Sequence, residues 1–109
     1  MTVRELADAT GFRLQCLCDG DRKIDGVYVG DLLSWVMGRA AADNAWITIM
    51  SNVNVIAVAS LSDVSCVIFA EGVTPDAEII RLAKDKRINL ISSPLPAYET
   101  AIRISEFLK

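Results

Sequence analysis

Four short apolar segments, each followed by small or polar residues and then by a helical pattern, constrain the fold of this chain most. They start at Val27, Trp46, Val67 and Leu90. Strands that alternate with helices in this way pair in parallel, because each helix carries the chain back across the sheet. An additional helix and strand precede them. We therefore predict a single α/β domain over residues 1–109, with a mostly parallel or mixed five-stranded sheet and flanking helices.

Local signals place the first three helices. Thr2 and Glu5 have the spacing of a capping box, and Gly11 is suited to end a helix over residues 3–10. Asp31 is predicted to cap a second helix, whose apolar residues cover most of its circumference and so indicate packing between neighbours. A third helix is predicted over 53–59, because a parallel crossover of this length is usually helical even where β-branched residues are frequent.

The remaining elements follow from turns and caps. After an alternating strand over 12–18, a turn at 19–21 is predicted to lead into a return strand over 24–29. Thr74 is predicted to cap the fourth helix, with Pro75 at its first position. The last helix is predicted to bury a stripe that leaves Ile104 and Phe107 outside it. The residues of that stripe are Tyr98, Ala101, Ile102 and Leu108.

Composition argues against several classes of function. A net charge of -3 provides no basic face for nucleic acid. The apolar runs are far shorter than the roughly 20 residues that a bilayer requires, and the first residues lack a secretory signal, so we expect a cytoplasmic protein without membrane contact. Cys16, Cys18 and Cys66 form no disulfide framework. Without any histidine they are better explained as core thiols than as metal ligands.

Small and polar residues follow the predicted strands at the sheet edge where open α/β folds bind ligands. Each could instead cap its own helix, and each glycine could serve a turn. Arg22 has two interpretations, since it can hold its turn by an ion pair or present its guanidinium to an anion. The ligand-binding candidates are Arg22, Gly30, Asp31, Ser51, Asn52, Asn54, Gly72, Thr74, Ser92 and Ser93.

No residue pattern predicts catalysis. The usual general base is absent with histidine, and no serine or cysteine lies in a nucleophile-elbow pattern. Asp21, Asp25 and Asp31 could surround a cation, but solvated turn acids explain them more simply. We therefore assign no catalytic residue, metal or cofactor.

The segment 21–33, Asp-Arg-Lys-Ile-Asp-Gly-Val-Tyr-Val-Gly-Asp-Leu-Leu, resembles the signature of the DRTGG domain family. The similarity continues through residues 46–48, 54–59, 75–76 and 92–95 and so covers nearly the whole chain. This resemblance implies an α/β fold like that of the N-terminal domain of HPr kinase/phosphorylase. It also implies a regulatory role, because members of the family occur beside unrelated catalytic domains.

Two hypotheses of function follow. The first is a non-catalytic regulatory or sensor module that binds a small ligand, a nucleotide or a phosphometabolite, at the carboxyl edge of its sheet and forms a homo-oligomer, most simply a dimer. The alternative is a protein-interaction or oligomerisation subunit without a small ligand. The apolar helix at 53–59 and the side chains of Ile104 and Phe107 motivate this alternative.

Overall fold

A mixed five-stranded sheet forms the centre of the computed structural model, which describes residues 1–108. The strands are β1 (Arg13–Cys16), β2 (Val27–Val29), β3 (Ala45–Thr48), β4 (Cys66–Phe69) and β5 (Leu90–Ser92). The helices are α1 (Val3–Thr10), α2 (Leu33–Arg39), α3 (Val53–Ser62), α4 (Ala77–Lys86) and α5 (Ala97–Ser105). The spatial order is β1-β5-β4-β3-β2, with β1 antiparallel to β5 and every other pair parallel. The predicted fold class is confirmed.

Helices cover both faces of the sheet, and alternation along the central strands supplies both cores. Trp46 and Phe69 belong to the core under α2, α3 and α4, whereas Ile47 and Ile68 belong to the core under α1 and α5. All four side chains are fully buried. None of the helices within residues 1–108 is both long and apolar enough to cross a bilayer.

The first helix forms where its capping signals predicted, and the third forms where the crossover length predicted it, although it extends to Ser62. Thr2 and Glu5 exchange the two hydrogen bonds of a capping box, and Gly11 ends α1 with a φ of 74°. Asn52 caps α3 by accepting hydrogen bonds from the backbone amides of Asn54 and Val55. In both cases the capping oxygen serves only the helix that it begins.

The predicted return strand is wrong in its pairing, because β1 and β2 lie at opposite edges of the sheet. The intervening segment runs along the amino end of α1. There Val3 donates its amide hydrogen to the Arg22 carbonyl, Arg4 donates to Gly20, and Ile24 donates to Met1. The turn at 19–21 therefore redirects the chain across the amino edge of the sheet.

The prediction that Asp31 caps α2 is wrong. Leu32 occupies the N-cap position without a side-chain hydrogen bond, whereas the Asp31 carboxylate accepts from Thr48 and Ile49. The prediction that α2 packs between neighbours is also wrong, since Leu32, Trp35 and Met37 are 60%, 54% and 50% exposed. This helix packs against α3, and Val36 is its one fully buried residue, so only one of its faces meets the core.

The start of α4 and the orientation of α5 also differ from prediction. Asp76, and not Thr74, caps α4, because its carboxylate lies 3.0 Å from the amide nitrogen of Ile79. Thr100 and Ile104 form the buried face of α5, whereas the predicted stripe is exposed at Tyr98 and Ile102. A hydrogen bond between Thr100 and Ser93 sets this rotation and directs Ile104, one turn later, into the core.

Candidate functional site

The carboxyl ends of the four parallel strands lie at one edge of the sheet. Because β1 is antiparallel and Arg13 is paired with Ser92, the first residue of β1 lies at the same edge as the last residue of β5. This edge therefore contains the strand ends that were predicted from the sequence, and it also contains the beginning of β1.

An open cleft of about 300 Å³ lies between β1, β5 and the loop that follows β4. It brings together four of the ten predicted residues, Gly72, Thr74, Ser92 and Ser93. The other lining residues are Gly11, Arg13 and Pro94. The cleft is the place where the predicted ligand edge forms a concave surface.

The two serines build the wall of the cleft. The Ser92 hydroxyl donates to the Val73 carbonyl at 2.9 Å and accepts from the Gln15 amide at 3.2 Å. Ser93 is fully buried, with its hydroxyl 2.8 Å from that of Thr100 and 3.1 Å from the amide nitrogen of Leu95. These side chains hold the loops in place and have little hydrogen-bonding capacity left for a ligand.

Two glycines leave the backbone of the cleft open. Gly11 and Gly72 have φ values of 74° and 72°, and a Cβ atom at either position would meet no atom within 4 Å. The Gly72 amide donates to the Ser93 carbonyl at 2.8 Å, which ties the loop after β4 to the end of β5. A ligand can therefore approach a backbone that is both uncovered and held in position.

Arg13 and Thr74 supply the free polar groups of the cleft. Both residues are exposed, and within residues 1–108 their side chains make no hydrogen bond or ion pair. The Arg13 guanidinium is the one cationic group that lines the described cleft. A guanidinium can donate two parallel hydrogen bonds to a phosphate or carboxylate group, so this arrangement is suited to an anion.

The predicted residues at the ends of β2 and β3 do not reach this cleft, and three of them have structural partners. The Asp31 carboxylate accepts from the Thr48 hydroxyl at 2.8 Å and from the Ile49 amide at 2.9 Å. The Gly30 carbonyl accepts from the indole of Trp46 at 2.9 Å. Asn52 is the cap of α3. These contacts fasten the outer strands and the start of α3.

Ser51 and Asn54 lie in the same outer part of the carboxyl edge. Ser51 is partly buried and Asn54 is exposed. Neither side chain forms a hydrogen bond with another described residue. They are thus free polar groups, but they stand apart from the cleft that contains Arg13.

Arg22 lies at the opposite, amino edge of the sheet and forms an ion pair. Its guanidinium donates to the carboxylates of Asp43 and Asp63, at 3.0 Å and 2.9 Å, and to the carbonyl of Asp63. Partial burial disfavours its charge, but the hydrogen bonds to Asp43 and then Asp63 outweigh burial and raise the pKa of Arg22. Of the two interpretations, the structure contains the ion pair, with partners other than the adjacent acids.

The acidic residues of the signature segment do not converge. Asp21 pairs with Arg4 at 2.7 Å, whereas Asp31 lies at the carboxyl edge. Throughout residues 1–108, no group of three cysteine, aspartate or glutamate side chains is arranged to hold a metal ion. Cys66 is fully buried on β4, and burial raises the pKa of its thiol to about 12.

A second groove, of about 310 Å³, runs along α5. It is lined by Leu95, Glu99, Ile102, Arg103 and Glu106. Two of these side chains are acidic, so the groove is less suited to an anion than the cleft at Arg13. Its lining residues come from α5, the end of that helix and the loop before it.

Gly11, Arg13 and Pro94 line the cleft but were not predicted from the sequence. The first two were assigned to a helix end and to a strand paired with residues 24–29, which placed them away from the carboxyl edge. The available signal was the position of Arg13 as the first residue of its strand, directly after a helix-ending glycine. An antiparallel strand in that position brings its first residue to the carboxyl ends of its neighbours.

Comparison with known proteins supports the same fold. The sequence model of the DRTGG domain family matches residues 13–107. No curated protein matches the chain. One similar crystal structure contains the CBS and DRTGG domains of the regulatory region of Clostridium perfringens pyrophosphatase, complexed with its activator diadenosine tetraphosphate. The likeness has a TM-score of 0.74 at 21% identity and covers 94% of this chain but 45% of that one. The chain belongs to the DRTGG domain family.

Proposed function

We propose that residues 1–109 form one non-catalytic regulatory domain that binds a phosphate-bearing small ligand, a nucleotide or a phosphometabolite, in the cleft at Arg13. The observation that carries this proposal is the unpaired guanidinium of Arg13 beside the uncovered backbone of Gly11 and Gly72. We place the domain in the cytoplasm, since none of its three cysteines forms a disulfide within residues 1–108.

The chemistry of the cleft favours a phosphate group. A phosphate can accept both donors of the guanidinium fork and a further hydrogen bond from the Thr74 hydroxyl. The two glycines allow the rest of such a ligand to lie against the backbone. The chain has an overall charge of -3, so Arg13 provides a local attraction that the protein as a whole does not.

The structural neighbour supports the regulatory part of this proposal. Its DRTGG domain belongs to a regulatory region, and that region was crystallised with a nucleotide activator. This chain corresponds to less than half of the neighbour, so the site and the identity of the ligand rest on the cleft itself.

Thermal unfolding in the presence of a ligand panel tests the proposal. The panel contains adenine and uridine nucleotides, diadenosine polyphosphates and sugar phosphates. A ligand at a hundred times its dissociation constant should raise the free energy of unfolding by about 2.7 kcal/mol. Arg13→Gln should remove most of this stabilisation. Lys86→Gln, which makes the same charge change at the far end of α4, should retain it.

Each result has a distinct meaning. If no compound in the panel stabilises the protein, the proposed function is wrong. If a compound stabilises the wild type and Arg13→Gln equally, ligand binding stands but the cleft at Arg13 is not its site. A loss in both variants would indicate a general charge effect.

A second function, self-association, is favoured by the apolar surface around α2. Leu32, Trp35 and Met37 are exposed at α2, and Val29 and Ile49 are exposed at the ends of β2 and β3. The hydrogen bond from the Ile49 amide to Asp31 holds the end of β3 against the start of this helix. Five large side chains that each expose on the order of 100 Å² would bury about 1,000 Å² in a two-fold dimer, near the lower limit for specific interfaces.

The occupant that we propose for this surface is a second copy of the chain. A two-fold axis requires a self-complementary patch, which an apolar surface provides. Light scattering after size exclusion should give the dimer mass for the wild type and the monomer mass for Trp35→Glu. Tyr98→Glu, at an aromatic position on the other face that is 75% exposed against 54% for Trp35, should remain dimeric. A monomeric wild type would refute this second function.

A further inference from the structure

Two of the three cysteine thiols lie next to each other at the end of β1. The sulfur atoms of Cys16 and Cys18 are 3.5 Å apart. Side chains two residues apart on a regular strand are separated by about 6.7 Å along the strand. The shorter distance accompanies a shift in the β1–β5 register between Leu14 and Cys16, where the strand leaves regular pairing.

The two thiols differ in their access to solvent. Cys16 belongs to the core under α4 and is buried, whereas Cys18 is partly exposed at the surface of that core. The Cys18 amide donates to the side chain of Asn89 at 2.9 Å, which holds the backbone beside β5. A reagent in solution therefore meets Cys18 first, with Cys16 directly behind it.

We propose that Cys16 and Cys18 form a reversible dithiol site, which low-molecular-weight disulfides such as oxidised glutathione convert to an intramolecular disulfide. The third cysteine is not part of this site, because Cys66 is fully buried on β4 and no described cysteine is paired with it.

The reaction proceeds in two thiol–disulfide exchanges. The Cys18 thiolate attacks one sulfur of oxidised glutathione, whose S–S bond breaks, and one glutathione thiolate leaves. The Cys16 sulfur then loses its proton and attacks the Cys18 sulfur, which expels the second glutathione thiolate. Two electrons pass from the protein thiols to glutathione, and the two released thiolates take up the two protons.

The order of these steps follows from burial. Desolvation, followed by the hydrogen bond to Cys18, raises the pKa of the Cys16 thiol to about 11, so this thiol is a poor first nucleophile. Once Cys18 carries a glutathione group, Cys16 is the thiol already beside the sulfur to be attacked. Proximity thus favours ring closure over release of the mixed disulfide.

The geometry also makes the bond reversible. The sulfur atoms must approach from 3.5 Å to a bond length of about 2.05 Å, across a single intervening residue. The hydrogen bonds from Cys18 and Asp19 to Asn89 oppose this movement. A bridge formed against such restraints is easily reduced, as labile disulfides are.

Mass spectrometry of the full chain incubated with oxidised glutathione tests the proposal. The wild type should become lighter by two hydrogen atoms, and the tryptic peptide 14–22, which contains both thiols, should carry that loss. Dithiothreitol should reverse it. Cys66→Ser should behave like the wild type, Cys16→Ser should keep a glutathione group on Cys18, and Cys18→Ser should remain unmodified in peptide 14–22.

Other outcomes would overturn the proposal. These are a wild type that stays reduced, one that accumulates a glutathione adduct without ring closure, and one whose mass loss requires Cys66. A covalent dimer on a non-reducing gel would equally contradict an intramolecular bond. Because the wild-type peptide map decides the main question, the conclusion does not depend on how well the serine variants fold.

Discussion

Replacing Arg22 tests whether this residue of the signature segment is a structural clamp. Its guanidinium joins the turn before β3, through Asp43, to the end of α3, through Asp63. Both aspartates have left-handed backbones, with φ values of 67° and 57°. The substitution Arg22→Gln removes the cation and leaves two carboxylates close together at the amino edge. We expect the folded state to lose stability while the cleft at Arg13 is unaffected.

The magnitude follows from the exposure of the three side chains. Arg22 is 24% exposed, whereas Asp43 and Asp63 are 51% and 68% exposed. A hydrogen bond to a charged group contributes about 1.5–3 kcal/mol, but a solvated ion pair contributes about 0–1 kcal/mol. Because Arg22 is largely buried but the acids are largely solvated, we expect Arg22→Gln to lower the free energy of unfolding by about 2 kcal/mol, near the lower end of the range for charged hydrogen bonds. Arg22→Lys, which keeps the charge without the planar fork, should cost about 1 kcal/mol.

Urea unfolding followed by circular dichroism measures these values, with the slope expected to stay constant among variants. Arg4→Gln is the control, since it breaks an exposed pair with Asp21 and should cost less than about 0.5 kcal/mol. A double-mutant cycle with Asp43→Asn isolates the pair, because asparagine tolerates a left-handed backbone. The clamp is refuted if Arg22→Gln costs no more than Arg4→Gln, or if the cycle shows no coupling. Loss of the phosphate response in Arg22→Gln would instead restore the anion interpretation.

Three further predictions concern stability. Asn89→Ala should lower the free energy of unfolding in urea by about 3 kcal/mol, because the buried side-chain amide is hydrogen-bonded to the backbone of residues 18, 19 and 65. A loss below about 1 kcal/mol would contradict the stabilising role of these hydrogen bonds. Gly38→Ala should stabilise α2 by about 0.5–1 kcal/mol, whereas Gly11→Ala should destabilise by about 1 kcal/mol, since only Gly11 has a positive φ. Backbone and side-chain hydrogen bonds with Thr2 lower the pKa of Glu5 in the folded state. The ionised carboxylate of Glu5 therefore stabilises the fold above the unfolded pKa near 4.5, and this contribution is lost as the pH falls through the folded pKa. Glu5→Gln should therefore flatten the acid side of a thermal-unfolding pH series.

Capping signals in the sequence predicted helix starts well where a polar side chain had one nearby target. The Thr2 side chain accepts a hydrogen bond only from the Glu5 amide of its own helix, and α1 therefore forms over the predicted residues. Asp31 has the same local pattern, but Thr48 and Ile49 supply donors from the neighbouring strand. Thr74 competes with Asp76, which lies two residues further along the chain. These long-range and competing partners have no local signature.

The order of the strands was the main feature that local patterns could not predict. A turn at 19–21 has the same residues whether it closes a hairpin or redirects the chain across the sheet edge. Pairing of β1 with β5 joins residues almost 80 positions apart and depends on the core that both strands cover. This topological difference explains why Arg13 was missed. Arg22 was included for a local reason, since a guanidinium at a turn can serve either an ion pair or an anion, and its partners Asp43 and Asp63 lie far along the chain.

The signature segment thus spans the sheet from one edge to the other. Arg22 holds the amino edge, and Asp31 fastens the ends of β2 and β3 at the carboxyl edge. The proposed ligand contacts, by contrast, lie in Arg13 before the segment and in Thr74 well after it. Residues that mark the family should therefore govern stability, whereas the cleft should govern ligand choice. Arg22→Gln and Arg13→Gln should separate these properties, since each should impair one and spare the other.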